Sequence, residues 1–161
     1  MDVYLKNNKN KTKKQCIFLQ DLRAVMALKE FVEQLSTDME LEQALEAKED
    51  GSYSLRLEPN IDVLLRENSS LAIRFQTTIA DLPKHQTEDY LLKAMTANLF
   101  GRETGGSALG LDAEGKKVVL VDFLAEHETY RAFYERLEEF VNYAEAWRRE
   151  TVEFELGNDQ E

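Results

Sequence analysis

The sequence predicts an α+β sandwich in the order α-βββ-α-ββ-α, with its helices packed on one face of a twisted antiparallel sheet. Three observations carry this. Between residues 52 and 77 apolar and polar side chains alternate in three successive runs separated by turn residues. A later pair of strand-like runs flanks Ala113-Glu114-Gly115, and its second member is apolar on both faces. The chain then ends in a long helical pattern whose aromatic seam needs a sheet to cover it.

Taken in order, residues 1–20 read as a flexible basic arm, with Lys6, Lys9, Lys11, Lys13 and Lys14 against Asp2 alone. A first helix is expected over 21–36. There Leu22, Val25, Leu28, Val32 and Leu35 recur at spacings of three and four, with Phe31 beside them. The acidic segment 38–50 has helical propensity but no clear apolar face, and Gly51 stops it. It reads as a short helix or an acidic loop. Three strands follow. Tyr53, Leu55 and Leu57 alternate with Ser52, Ser54 and Arg56; Pro59-Asn60 turns the chain. Ile61, Val63 and Leu65 alternate with Asp62 and Arg66, and after Asn68-Ser69-Ser70 the residues Leu71, Ile73, Phe75 and Thr77 face away from Arg74 and Gln76. One face of this meander is apolar, and Arg56, Arg66, Arg74 and Gln76 lie on the other.

Pro83 closes the meander, and Thr87 is the expected N-cap of a second helix reaching about Phe100, with Glu88 and Asp89 in its first turn. Strands follow at 107–112 and 116–125. In the second, Val118, Leu120 and Leu124 share one face, and Val119, Val121 and Phe123 share the other. Such a strand needs a partner on each side, one from its own helix layer and one from a second subunit. The last helix is expected over 129–152. Tyr130, Phe133, Leu137, Phe140, Ala144 and Trp147 form its seam, widened by Tyr134 and Val141. Residues 21–152 thus make one domain, and 153–161 read as a frayed acidic tail.

Charge and composition limit the function. The chain has 31 acidic against 20 basic residues, a net −11. Residues 1–20 hold +4 of it, so the remainder carries −15. A body that acidic repels phosphate backbones, which makes nucleic acid an unfavourable partner. The lone Cys16 excludes an intrachain disulfide and suits a reducing cytosol. Its apolar run, "CIFL", is too short for a signal peptide, and no run is long enough to span a membrane. Chemistry is thin as well. His85 and His127 have no ligand-spaced partners, so no metal site is expected. Acidic pairs such as Glu138-Glu139 arise by chance among so many carboxylates.

The glycine-rich stretch "TANLFGRETGGSALGLD" has two readings. Gly101 and Gly106 have the spacing of a phosphate-binding loop, but Ser107 and Ala108 stand where Lys and Ser/Thr belong. The order is also reversed, with a helix before the loop and a strand after it. The glycines are therefore expected to turn a helix sharply into a strand. Neither a nucleotide site nor any other cofactor is expected.

The run "LLKAMTANLFGRETGGSALGLDAEGKKVVLVDFL", followed by "YRAFYERLEEFVNYAEAWRRE", resembles the class I type III secretion chaperones, the Tir chaperone (CesT-like) family. In that family a helix ending near Ala-Asn enters a glycine-rich corner, then "LGLD", a hairpin, an apolar strand and a C-terminal amphipathic helix ending near a Trp. These features fall here at Ala97-Asn98, Gly105-Gly106, 109–112, 117–124 and Trp147. The resemblance is specific over 91–149 and rests on pattern alone over 22–83. The Lys-rich start and the segment 38–50 depart from it.

The resemblance implies a homodimeric bacterial cytoplasmic protein without catalytic activity. It would hold the N-terminal chaperone-binding segment of a secreted effector, extended around the dimer, soluble and ready for export. A variant of the same reading replaces the effector by a transcriptional or secretion regulator, and the secretion-apparatus ATPase is a further candidate partner. The expected dimer contact comprises Leu91, Leu92, Met95, Leu99, Phe100, Val118 and Leu120. The expected client surface comprises Leu22, Val25, Leu28, Val32 and Leu35 of the first helix with Tyr53, Leu55, Leu57, Ile61, Val63 and Leu65. The motive is that the first helix lacks a long aromatic seam, so its own sheet should leave it partly uncovered.

Overall fold

The computed structural model describes residues 28–41, 45–57, 61–68, 72–126 and 128–157. The described part of the first helix, α1, is residues 28–38. Strands β1 (Tyr53–Leu57), β2 (Ile61–Glu67) and β3 (Ile73–Asp81) follow. Helix α2 (Thr87–Asn98) and a short 3-10 turn (Leu99–Gly101) lead into β4 (Ala108–Leu111), β5 (Lys117–Leu124) and helix α3 (Tyr130–Gly157). The strands form one antiparallel sheet in the order β1-β2-β3-β5-β4. Its fold class is the one the alternation predicted.

Alternation determines the faces. Leu55, Val63, Leu65, Phe75, Val118 and Leu120 are buried on the side where Phe133, Leu137, Phe140, Ala144 and Trp147 of α3 complete the core. Phe75 lies between Phe133 and Phe140, with ring centroids 5.7 and 5.8 Å away. These offset aromatic contacts add to simple burial. Tyr90, Ala94 and Ala97 bring α2 onto the same core.

Several boundaries differ from expectation. β3 runs to Asp81 because β5 pairs with it along its whole length, with an irregularity between Thr78 and Ala80. The segment after α1 contains no helix among its described residues. Thr87 is the first helical residue of α2 rather than its cap. Gln86, at φ 48°, holds the cap position, and the Thr87 hydroxyl donates to the Pro83 carbonyl at 2.8 Å. Thr129 does cap α3, accepting from the Ala132 N–H at 3.2 Å. That helix continues to Gly157, so residues 153–157 are not a frayed tail. Phe154 meets the Tyr90 ring edge-on at 5.2 Å, and Glu155 accepts from the Lys84 N–H at 3.1 Å. The arm 1–20 lies outside the described residues.

Candidate functional site: two apolar surfaces and the glycine corner

The glycine corner is built as a turn. Gly101 and Gly105 both have positive φ, and a Cβ on Gly101 would stand 2.8 Å from the Gly106 Cα. A Cβ on Gly105 would overlap the Tyr143 ring. The surroundings lock this shape. Trp147 Nε1 donates to the Glu103 carbonyl at 2.9 Å, and Thr104 Oγ1 donates to the Ser107 carbonyl at 2.6 Å. Arg136 donates to the Gly105 carbonyl at 3.0 Å and pairs with the buried Asp122 at 2.7 Å. Asp122 also accepts from Ser107 Oγ at 2.9 Å. Asn98 clamps the helix end to β4, its side chain bonding both the N–H and the C=O of Leu109. These hydrogen bonds are all made within the chain, as a turn requires.

What the corner displays is apolar. Leu92, Met95, Leu99 and Phe100 are 65, 70, 60 and 88 % exposed, with Leu111 of β4 exposed nearby in sequence order. Phe100 holds φ 60°, a left-handed conformation that bulky residues rarely adopt. Backbone strain of this kind persists where surrounding structure enforces it. Leu91 is half-buried, and with Met95 and Leu111 it lines a recess of about 110 Å³ between α2 and the β4–β5 hairpin. Of the seven residues expected at a dimer contact, the five on α2 and its following turn therefore stand at or near the surface. Val118 and Leu120 do not. They point into the chain's own core, because β5 turns its even-numbered residues toward the helices. The residues of β5 on the opposite face are Val119, buried, Val121, half-buried, and Phe123, exposed.

The first helix also departs from expectation. Leu28, Val32 and Leu35 are at most 3 % exposed and belong to the core. The reason is aromatic: Phe31 packs against Tyr130 and Phe133, with centroids 6.0 and 5.2 Å apart, and this anchors α1 to α3. Tyr130 strengthens the junction by donating its hydroxyl to Asp38 at 2.7 Å. Tyr53, Leu55, Ile61, Val63 and Leu65 are likewise buried beneath the helices. The expectation of a partly covered face therefore fails for these residues. Leu22 and Val25 lie outside the described residues.

One of the expected residues, the half-buried Leu57, reaches an opening, and the enclosed Leu35 contributes to its wall. Leu35 and Leu57 line a cleft of about 170 Å³ together with Met39, Tyr134, Leu137, Glu138, Val141 and Asn142. Met39 and Tyr134 are partly exposed on its rim. From the sequence alone, Tyr134 and Val141 stand only as residues that widen the seam of α3. They are seven apart, two turns along one flank of the helix, and that spacing was the available signal.

Apart from these surfaces, the described residues hold no cluster of His, Cys, Asp and Glu suited to a metal ion. None of their helices is long and apolar enough to cross a membrane. The described residues thus present apolar side chains on α2 and the turn after it, and a cleft beside α1. Residues 27–148 match the model of the Tir chaperone protein (CesT) family, and the chain belongs to that family. A Chlamydia pneumoniae protein, CPj0713/CpB0740, is 37 % identical over 121 residues, spanning 74 % of this chain and 92 % of its own. The ExsC–ExsE complex contains a chain of the same fold, with TM-score 0.66 and 17 % identity over 79 % of this chain and 95 % of that one. The HopA1–SchA chaperone–effector complex contains another, with TM-score 0.63 and 13 % identity over 79 % and 97 %. The family is one of binding proteins rather than enzymes.

Proposed function

We propose that the protein is a type III secretion chaperone, working as a homodimer in the bacterial cytoplasm and holding the N-terminal segment of a secreted effector in an export-competent state. The observation that carries this reading is the row of large apolar side chains outside α2, in a chain of this family. Left in water, such a row favours association. Fully burying each of these side chains contributes about 1.5–3 kcal/mol, and together they are enough to offset much of the cost of bringing two copies together.

The client is then a separate occupant. The cleft formed by Leu35, Met39, Leu57, Tyr134 and Val141 suits one large aliphatic or aromatic anchor, with Glu138 and Asn142 at its polar rim. A client contributes such anchors from an extended segment. The acidic body keeps the assembly soluble. Leu22 and Val25, just before the described part of α1, remain part of the proposed client surface.

Affinity purification from secretion-competent cells, followed by mass spectrometry, tests the reading. The expected result is a secreted protein in stoichiometric amount, lost when its N-terminal segment is deleted. A transcriptional or secretion regulator in its place would establish the regulatory variant. Recovery of the protein with no client in cells that express the secretion system would overturn the chaperone reading.

A further inference from the structure

The cleft beside α1 combines an open apolar wall with an unanswered negative charge. Met39 and Tyr134 are 36 and 43 % exposed there, and Leu57 and Val141 are half-buried. Glu138 lines the same cleft and is exposed. Its neighbours on α3 are paired along the helix, Glu135 with Arg131 at 2.7 Å and Glu139 with Arg136 at 2.9 Å. Glu138 forms no ion pair among the described residues, and no described basic residue lines the cleft. Asp38 and Glu40 flank Met39 in sequence, and both are exposed. The cleft is thus the complement of a large apolar side chain followed by cations.

The chain carries such a segment itself, in the part that precedes α1. Residues 1–27 hold six basic side chains against Asp2 and Asp21, which is +4, and the remainder carries −15. Val3, Tyr4 and Leu5 stand together there, followed by Lys6, Lys9 and three further lysines. Reach is not limiting. The spacing of Leu22, Val25 and Leu28 predicts that the helix begins at 21, which puts its start about 21 Å from Leu35. The 15 residues from Lys6 to Gln20 can extend to about 50 Å. The other apolar run, Cys16 to Leu19, lies too close to residue 21 to fold back that far.

We propose that Val3, Tyr4 and Leu5 occupy this cleft from within the same chain, with the lysines that follow set against Glu138, as a placeholder that a client must displace. The proposal rests on the chaperone role and gives its cleft a regulation. Tethering makes a weak contact sufficient, because a short linker holds the segment at an effective concentration in roughly the millimolar range. A cleft filled by its own segment nine-tenths of the time, taken as an order of magnitude, binds a competitor about tenfold more weakly. Clients with strong anchors would pass that threshold, and loosely matching polypeptides would not.

Two measurements on the full chain test the placeholder. The first is a disulfide trap in a Cys16→Ser background, pairing Leu5→Cys with Asn142→Cys on the cleft and, as a control, with Glu114→Cys in the β4–β5 hairpin loop. Mild oxidation should close the first pair within one chain about tenfold faster than the second. Equal rates, or a bond that joins two chains on a non-reducing gel, overturn the proposal. The second measurement follows a labelled peptide of residues 1–14 by fluorescence anisotropy. It should bind a Tyr4→Ser, Leu5→Ser double variant about tenfold more tightly than the unmodified chain, and adding Glu138→Lys to that variant should abolish the gain. Equal affinity for the unmodified chain and the double variant, or binding to neither, overturns the proposal. Client purification keeps the two ideas apart. A client held equally well by the unmodified chain and the double variant removes the placeholder and leaves the chaperone role. The expected trap and peptide results with no client recovered do the reverse.

Discussion

Helices α2 and α3 pack on the same sheet face with opposite use of their side chains. α3 turns most of its large residues inward: Phe133, Leu137, Phe140 and Trp147 are buried, and charged residues line much of the remaining surface, with Tyr134, Val152 and Leu156 exposed among them. α2 turns mainly small residues inward, Ala94 and Ala97 with Tyr90, and leaves Leu92 and Met95 outside, continued by Leu99 and Phe100. Burial on α3 serves the fold of one chain. The large apolar side chains on the outer side of α2 are mostly in solvent within the chain. Small residues under α2 let it lie close to β4, where Asn98 fastens its end. The difference separates two kinds of substitution, those that cost folding and those that cost association.

Phe140→Ala should have the largest effect on the folding side. Its ring is fully enclosed and tilted against Phe75, so truncation removes transfer energy and leaves a cavity. The expected loss is about 3–5 kcal/mol in chemical denaturation monitored by circular dichroism. A loss below about 1 kcal/mol would mean that the α3 seam is not the core of the fold.

Met95→Asp should invert that result. In a single chain this side chain is mostly in water, so the folding stability of the isolated monomer should change by no more than about 0.5 kcal/mol. Association should weaken by several kcal/mol, on the order of 2 or more, since a carboxylate would enter a dry contact. Multi-angle light scattering should read a dimer for the unmodified protein at micromolar concentration and a monomer for the variant. A monomeric unmodified protein would remove the proposed assembly and leave the exposed row to the client.

Arg136→Met tests the link between the two helices. Arg136 belongs to α3, yet it holds the corner that follows α2 through the Gly105 carbonyl and Asp122. Its loss takes the ion-pair partner from Asp122, whose side chain is 6 % exposed and keeps only the hydrogen bonds from the Ser107 hydroxyl and the Phe123 N–H. With the arginine itself partly in solvent, the cost should be about 2 kcal/mol, below that of a fully buried pair. Because Leu99 and Phe100 ride on this corner, dimer affinity should fall with stability. If stability falls and affinity does not, the corner only shapes the monomer.

The contrast between the helices was partly legible in the sequence. The α3 seam was, because Phe133, Phe140 and Trp147 give strong signals at regular spacing. The inward face of α2 was not. Ala94 and Ala97 carry little hydrophobic weight, so the larger Leu92 and Met95 dominate any reading of that helix without telling whether they face in or out. The inner faces of β1, β2 and β3 followed from alternation, whereas β5, apolar on both faces, did not show that Val118 and Leu120 turn into the chain's own core. The cover over α1 did not, because the Phe31–Tyr130–Phe133 cluster joins residues about a hundred positions apart. For the same reason the like-charged row Arg66–Arg74 was visible only as a polar face. Which arginine stands opposite which depends on strand register.

The smallest predicted effect lies where the two helices touch. Thr151 of α3 donates its hydroxyl to the Trp147 carbonyl at 2.7 Å, which leaves its oxygen to accept from the Tyr90 hydroxyl of α2 at 2.7 Å. Lys93 and Glu150 form an ion pair at the same seam. Tyr90→Phe keeps the ring against Phe154 and removes only the hydroxyl, so it should cost about 1 kcal/mol at neutral pH. Its pH dependence is more diagnostic than its size. Burial, with the Glu150 carboxylate adding to it, raises the phenol above its ordinary value of 10. The unfolded chain therefore releases this proton first. The stabilisation is complete below pH 10 and is lost as pH rises through the folded-state value. Burial and the Asp38 carboxylate also raise Tyr130, so the unmodified protein should lose stability at alkaline pH from two phenols. Tyr90→Phe should remove one part of that loss and Tyr130→Phe the other. Denaturation curves between neutral pH and about pH 11 would read both, within the range where tyrosine titrates. If Tyr90→Phe leaves the alkaline slope unchanged, the hydroxyl is not buried between the helices, and α2 does not rest on α3 through Tyr90.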